Sequence, residues 1–386
     1  MNKAEISGSS LRELVAIRRE IHSWPELGFE EHTTAKLIAA YLEKLGLEVH
    51  CGIGRTGVVG VLRRGTSGHS VGLRADMDAL GVTEQTGLPY ASRNPGVFHG
   101  CGHDGHVAML LGAAEHLVNA GDIDGTINFI FQPAEEGLAG ARSMIEDGLF
   151  DRFPCDRVFA LHNWPDLPAG VIGCRPGPIM AAADRFRITL KGRGGHAAMP
   201  HKSPDVLVAA SELVLHLNMI VSRTVPPIET AVLSVTEMAG GHAHNVMPAE
   251  VFVGGTVRTF SPEVQKLIEH EVRRAVTGIG ALHGIEGEVS YEYQYPPTIN
   301  DAVAARDVLE VAASVGSAQL VDAPAFTSED FAFMLQQRPG AYIWLGQKTE
   351  KASTALHAPT YDFNDDVIET GIRLHTALAH HTLKLP

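Results

Sequence analysis

The chain has no run of about 20 consecutive apolar residues, no stretch where lysine and arginine gather, and only four cysteines among its 386 residues. Each shortage closes off a class of function. No segment reads as a membrane-spanning helix, and the opening MNKAEISGSSLRELVAIRRE lacks the apolar core of a secretory leader, turning amphipathic at once. With 31 Lys and Arg against 45 Asp and Glu the net charge is -14, and no basic stripe follows a phosphate backbone. Neither nucleic acid nor a membrane is an expected partner. Cys51, Cys101, Cys155 and Cys174 are too few and too scattered for a secreted disulfide scaffold. A cysteine with a special role here is a ligand or a nucleophile. The expectation is a soluble, unprocessed cytoplasmic protein.

A hydrophobic fraction of 45% is ample for packed cores, and the length exceeds what one core usually organises. Two domains are therefore expected. Ser10 and Glu13 have the spacing of a capping box ahead of an amphipathic run reaching Trp24, and residues 33–45 read as a second helix stopped by Gly46. Strand-like runs follow at 58–62, 70–75, 126–131 and 157–161, with a helix at 105–120 between them. That alternation predicts an α/β domain with a largely parallel sheet, which binds ligands beyond the carboxyl ends of its strands. After Pro178 the order changes to strand 184–191, helix 205–221, strands 231–238 and 251–259, helix 262–282 and strand 287–295. Ser203-Pro204 and Ser261-Pro262 each offer an N-cap followed by proline at the first helical position. The β-α-β-β-α-β order is ferredoxin-like. From Asp301 the first pattern resumes, with a helix to Val315, another from Ser328, a strand at 341–345 and a last helix from about Asp365. The expected organisation is a catalytic α/β domain of residues 1–181 and 296–386, interrupted by an α+β lid and dimerisation domain of residues 182–295.

Three predicted strand ends carry unusual polar clusters: Asp76 and Asp78 after 70–75, Glu135 and Glu136 after 126–131, and His162 and Asn163 after 157–161. The segment HGCGHDGH, residues 99–106, adds glycines that let the backbone fold tightly around thiol, imidazole and carboxylate groups. Cys, His and Glu are the residue types that hold divalent transition metals. Taken singly, each has a bland reading. A lone cysteine is usually a small buried hydrophobe, and adjacent carboxylates at a strand end can simply cap the next helix. Convergence on one end of a parallel sheet favours the metal site.

RREIHSWPELGFEEHTT, LRADMDAL, HGCGHDGHVAMLLGAA, FQPAEEGLAGARSMIEDG, ALHNWPDLPAG, GRGGHAAMPH, HNVMPAE, GGTVRTF and LHAPTYDFND occur in one order over nearly the whole chain. Together they resemble the hippurate hydrolase and N-acyl-amino-acid amidohydrolase family, grouped with aminoacylases, carboxypeptidase G and auxin-conjugate hydrolases. The resemblance implies two divalent metal ions per chain, with Cys101 bridging them, His103 and His162 on one ion, and Glu136 and His357 on the other. It makes Glu135 the general base, His196 an oxyanion donor from a partner subunit, and Asn245 and Arg258 the groups that hold a substrate carboxylate. Asp76 is expected to orient a ligand, while His106 and His201 can equally be structural. The wider superfamily starts its metal set with a histidine where this chain has Arg74, and His103 is expected to take that place. A thiolate with two imidazoles leans towards zinc; manganese, cobalt and nickel also fit. The implied activity is hydrolysis of the amide in small-molecule N-acyl amino acids by a homodimer or homotetramer joined through the lid. A dipeptidase or carboxypeptidase is the nearest rival, and a non-catalytic binding protein of the same fold a more distant one.

Overall fold

A computed structural model describes residues 6–349 and 355–385. It divides into two compact units: residues 1–179, 299–323 and 330–386 form the first, residues 180–298 and 324–329 the second.

The first unit is built on an eight-stranded sheet. Gly125–Gln132, Ser70–Asp76, Arg157–Pro168 and Gly340–Lys348 are its central strands, each parallel to the next. Antiparallel strands Glu48–Ile53 and Gly57–Arg64 extend one side, and Val171–Cys174 with Ser317–Leu320 the other. The central strands are buried on both faces, which is why they read as continuous apolar runs rather than alternating ones. The helix His103–Asn119 is buried through all of its first twelve residues and packs against Gly8–Ser23 and Ile368–Thr382. A helix buried on every side over three turns lies inside the domain, and each fully buried leucine in it contributes about 1.5 to 3 kcal/mol.

The structure corrects several boundaries read from sequence. The first helix is Gly8–Ser23, capped by Ser7 accepting from the Ser10 amide, so Ser10 and Glu13 form no capping box. Ser10 instead donates its hydroxyl to Glu115 at 2.5 Å. The helix expected from Ser328 is only Ala332–Gln337. Strand Arg157–Pro168 continues well past Leu161, so His162 and Asn163 lie within it and not beyond its end.

In the second unit four antiparallel strands run in the order Ala231–Ala239, Glu250–Thr259, Ala183–Lys191, Glu286–Tyr295. Helices Val206–Arg223 and Pro262–His283 pack on the sheet, completing the ferredoxin-like arrangement. Ser261 caps the second helix as its Ser-Pro pair predicts. Ser203 does not cap the first: Asp205 does, accepting from the Leu207 and Val208 amides. Val206–Arg223 is also, by length and a mean hydropathy of 1.4, apolar enough to cross a membrane. Its Ala209, Ala210, Leu213 and Leu217 are spent on the core of this unit.

Candidate metal centre and active site

Strand pairing opens the site. Arg157–Pro168 pairs with Ser70–Asp76 only from Arg157 to Ala160, so beyond Ala160 the two strands part and His162 faces the gap. Asp76 ends its strand opposite Gln132, after which the chain bends through Ala134 into Glu135 and Glu136. Glu136 and Gly137 have non-helical torsions, so the glutamate pair caps no regular helix. The HGCGHDGH segment turns at Gly102, whose φ is +86° and where a Cβ would stand 2.5 Å from Asn163 Oδ1. Glycine is required there on both counts, and it delivers His103 to the first position of its helix. His357 also sits at positive φ, +66°, with its amide bonded to the Gly100 carbonyl at 2.8 Å.

These bends gather side chains that are remote in sequence. Ligand atoms of Cys101, Glu136 and His357 lie within 4.8 Å of one another, as do those of His103, Glu135 and Glu136, and those of Asp76, His103, His106 and His162. Cys101 Sγ is 3.5 Å from His162 Nε2, and His357 Nε2 is 3.3 Å from Glu136 Oε1. The tautomers are set from behind. His103 Nδ1 lies 3.0 Å from the Asp78 carbonyl and His162 Nδ1 2.7 Å from the Asn163 carbonyl, so each Nδ1 donates backwards and each Nε2 is turned into the cluster. His103 Nε2 and Glu136 Oε1 are buried without any hydrogen bond.

The charge balance asks for a cation. Burial, then Glu136, Glu135 and Asp76, push the Cys101 thiol well above its ordinary value. Burial alone would lower the His103 imidazole, but Asp76, Asp78 and Glu136 outweigh it and raise it to about 10. Burial, with His106 adding, holds His162 well below its usual value and keeps it neutral. A buried thiol ringed by carboxylates ionises only when cations replace its proton, and thiolate, imidazole and carboxylate form the donor set such cations prefer. The residues present therefore fit a divalent metal pair.

Behind this cluster lies a layer that sequence reasoning largely missed. Arg74, 1% exposed, donates to Gln132 Oε1 at 2.8 Å and Asp76 Oδ2 at 2.8 Å, and lies 3.2 Å from Asp330 Oδ1. Asp330 also accepts from Gln132 and from the Ala141 amide, and its own amide is 3.4 Å from Glu135 Oε1. Burial would raise the Asp76 carboxyl, but Arg74, His103 and His106 hold it well below its ordinary value. His106 places Nδ1 2.5 Å from Asp76 Oδ1, which ties it into the framework. Asp330 carries no sequence signal, since it follows an ordinary Ser-Glu pair in a stretch whose pattern predicts a longer helix.

The second unit holds the other nominated residues. His196 and Asn245 come together: Gly195–His196 pairs with Val246–Met247, and the Ala197 amide bonds to the Asn245 carbonyl at 3.0 Å. His196 Nδ1 accepts from the Ala198 amide at 3.1 Å, so the proton sits on Nε2 of an exposed ring. Arg258 lies on strand Glu250–Thr259 and donates through Nη1 to Thr256 Oγ1 at 2.5 Å and to the Val257 carbonyl at 2.9 Å. His201 is exposed in a short 3-10 turn.

Comparison with known proteins agrees with this chemistry. Residues 72–381 match the Peptidase family M20/M25/M40. The hippurate hydrolase of Campylobacter jejuni is 41% identical over 375 residues, covering 96% of this chain and 97% of that protein. An N-acetyl-L-cysteine deacetylase of Bacillus subtilis is 41% identical over 359 residues, covering 92% and 85%. A solved Bacillus subtilis structure, described as a dinuclear metal binding peptidase of the M20 family, superposes with a TM-score of 0.86 at 34% identity over 98% of this chain and 99% of that one.

Proposed function

This chain belongs to the Peptidase family M20/M25/M40 and is a metal-dependent hydrolase of it; from that premise we propose that it hydrolyses N-acyl amino acids to a carboxylic acid and a free amino acid. The observation that carries the reading is the buried Cys101 thiol among Glu135, Glu136, His103, His162 and His357. Cys101 would be the ligand common to a metal pair, with His103 and His162 holding one ion and Glu136 and His357 the other. Zn2+ or Mn2+ suits this set best, with Co2+ and Ni2+ as further fits. Bound there, a divalent pair acidifies water and polarises an amide carbonyl.

The chain's own groups supply the rest. Glu135, beside the ligand Glu136 but with Oε1 near the Asp330 amide, takes a proton from the attacking water and passes it to the departing amine. Asp76 and Asp78 orient imidazoles. His196, protonated on Nε2, donates to the developing oxyanion. Asn245 and Arg258 receive the substrate carboxylate, for which a guanidinium fork is suited. A homodimer in which the second unit provides the contact and His196 serves the partner's site accords with exposed Val208, Leu215 and Met219 on helix Val206–Arg223.

The test is a panel of benzoyl, acetyl and indoleacetyl amino acids, with their methyl esters and amides, and dipeptides, on metal-loaded protein. Free acids are expected to be cleaved tens-fold or more faster than the esters or amides, because a charge-assisted hydrogen bond is worth about 1.5 to 3 kcal/mol. Equal rates on acid and amide would remove the carboxylate site. Cleavage of dipeptides alone would make the enzyme a dipeptidase.

A further inference from the structure

We propose that Glu31 is a positioning residue whose carboxylate pins the Ala134 peptide in a left-handed bend and so sets the direction of the neighbouring Glu135. The inference rests on Glu135 as the base. Ala134 is fully buried at φ 53° and ψ 44°, a region that residues with a Cβ rarely adopt without outside support. Its amide donates to Glu31 Oε1 at 2.8 Å, and its carbonyl accepts from the Gly140 amide at 3.0 Å. The amide on the other side of Glu135, that of Glu136, donates to Asp78 Oδ2 at 2.9 Å. Two buried carboxylates thus hold the two peptide N–H groups that flank the base.

Glu31 does not serve its own helix. It occupies the N-cap position of helix His32–Lys44, where an acidic side chain would ordinarily accept from its own helix, yet it makes no such bond. Glu26 does that work, accepting from the Thr33 and Thr34 amides at 2.8 and 2.9 Å. Glu31 is fully buried, and its second oxygen is fixed by the Thr56 hydroxyl at 2.5 Å. The same short segment presses on the bend from another side. A Cβ at Gly28 would lie 3.0 Å from both Ala134 Cα and Cβ.

The experiment uses metal-loaded full-length protein and reads amide exchange at Ala134, bound metal, kcat and KM. In Glu31→Ala the Ala134 amide should exchange at least about 10-fold faster and kcat should fall at least about 10-fold, with both metals kept and KM within about 3-fold, as expected for a misaimed base. Glu31→Gln keeps an acceptor oxygen and should recover most of kcat. Adding Ala134→Gly to Glu31→Ala should recover part of it, because glycine takes positive φ without restraint. Unchanged exchange and kcat in Glu31→Ala would overturn the proposal, as would a loss that only follows metal content or that Glu31→Gln does not mend. Should Glu31→Ala fail to fold, Thr56→Val removes only the hydroxyl fixing the carboxylate, and exchange at Ala134 should still quicken several-fold; unchanged exchange there overturns the clamp. If Glu135→Gln keeps full kcat, the base assignment falls instead, and Ala134 exchange reports on the clamp separately.

Discussion

Glu135 and Glu136 are adjacent but differently placed. Glu136 Oε1 stands 3.3 Å from His357 Nε2 and makes no hydrogen bond of its own, whereas Glu135 is seated near the Asp330 amide. Glu135→Gln should keep both metals and bind substrate while turnover drops at least about 10²-fold, the usual scale for a general base. Glu136→Gln should weaken one metal position. Elemental analysis beside steady-state kinetics checks both, and the opposite pattern would exchange the roles. At this scale the clustered chemistry was legible, because thiol, imidazole and paired carboxylates stand out beside predicted strands. His357 was reached only through the family resemblance. Beyond Asp76, the supporting contacts were not legible: Arg74 meets Asp330 across 256 positions, and Glu31 meets Ala134 across 103, with residue types that signal nothing alone.

Between elements, the helix carrying HGCGHDGH is anchored by a buried ion pair. Asp104, in the first turn of His103–Asn119, lies 2.8 Å from His22 Nδ1 in the last turn of Gly8–Ser23, which also suits both helix dipoles. Burial alone would lower the His22 imidazole, but Asp104 and Glu84 outweigh it and raise it to about 9 from 6.5. A folded value above the unfolded one means the pair's contribution is full below pH 6.5 and fades as pH climbs to 9. The difference in melting temperature between wild type and His22→Gln should therefore shrink over that window, from a contribution on the order of 3 kcal/mol. A difference that stays constant or grows with pH would contradict the pairing. Helices and central strands were legible through periodicity and apolar runs. Caps were less so, because Ser7 and Ser10, or Ser203 and Asp205, are equivalent candidates until a side chain is seen to accept an amide. Strand Ser317–Leu320 is exposed throughout and carries no burial pattern to read.

For the whole molecule, the switch from α/β to β-α-β-β-α-β order shows in the sequence, but the attachment of Pro324–Glu329 to the second unit does not. It rests on scattered contacts without a sequence pattern, among them the Ala181 amide bonding to the Ala325 and Thr327 carbonyls and the Phe260 ring meeting Phe326 at 5.1 Å. If His196 serves the partner's site, His196→Ala should be nearly inactive with both metals bound, since an oxyanion donor is worth about 2.7 to 4 kcal/mol. Mixing it with Glu135→Gln protein should restore up to one working site per mixed dimer. Mass measurement establishes subunit exchange, and no activity after exchange would confine His196 to its own chain. The central claim, amide hydrolysis at a metal pair held on Cys101, is tested most directly by titrating metal into stripped protein while following amino-acid release from benzoylglycine and its acetyl and indoleacetyl counterparts. No release is expected without metal, the rate should level off at two equivalents per chain, and Cys101→Ala should lose both tight binding and turnover. Full hydrolysis by the stripped protein, or two tightly held metals in Cys101→Ala, would contradict it.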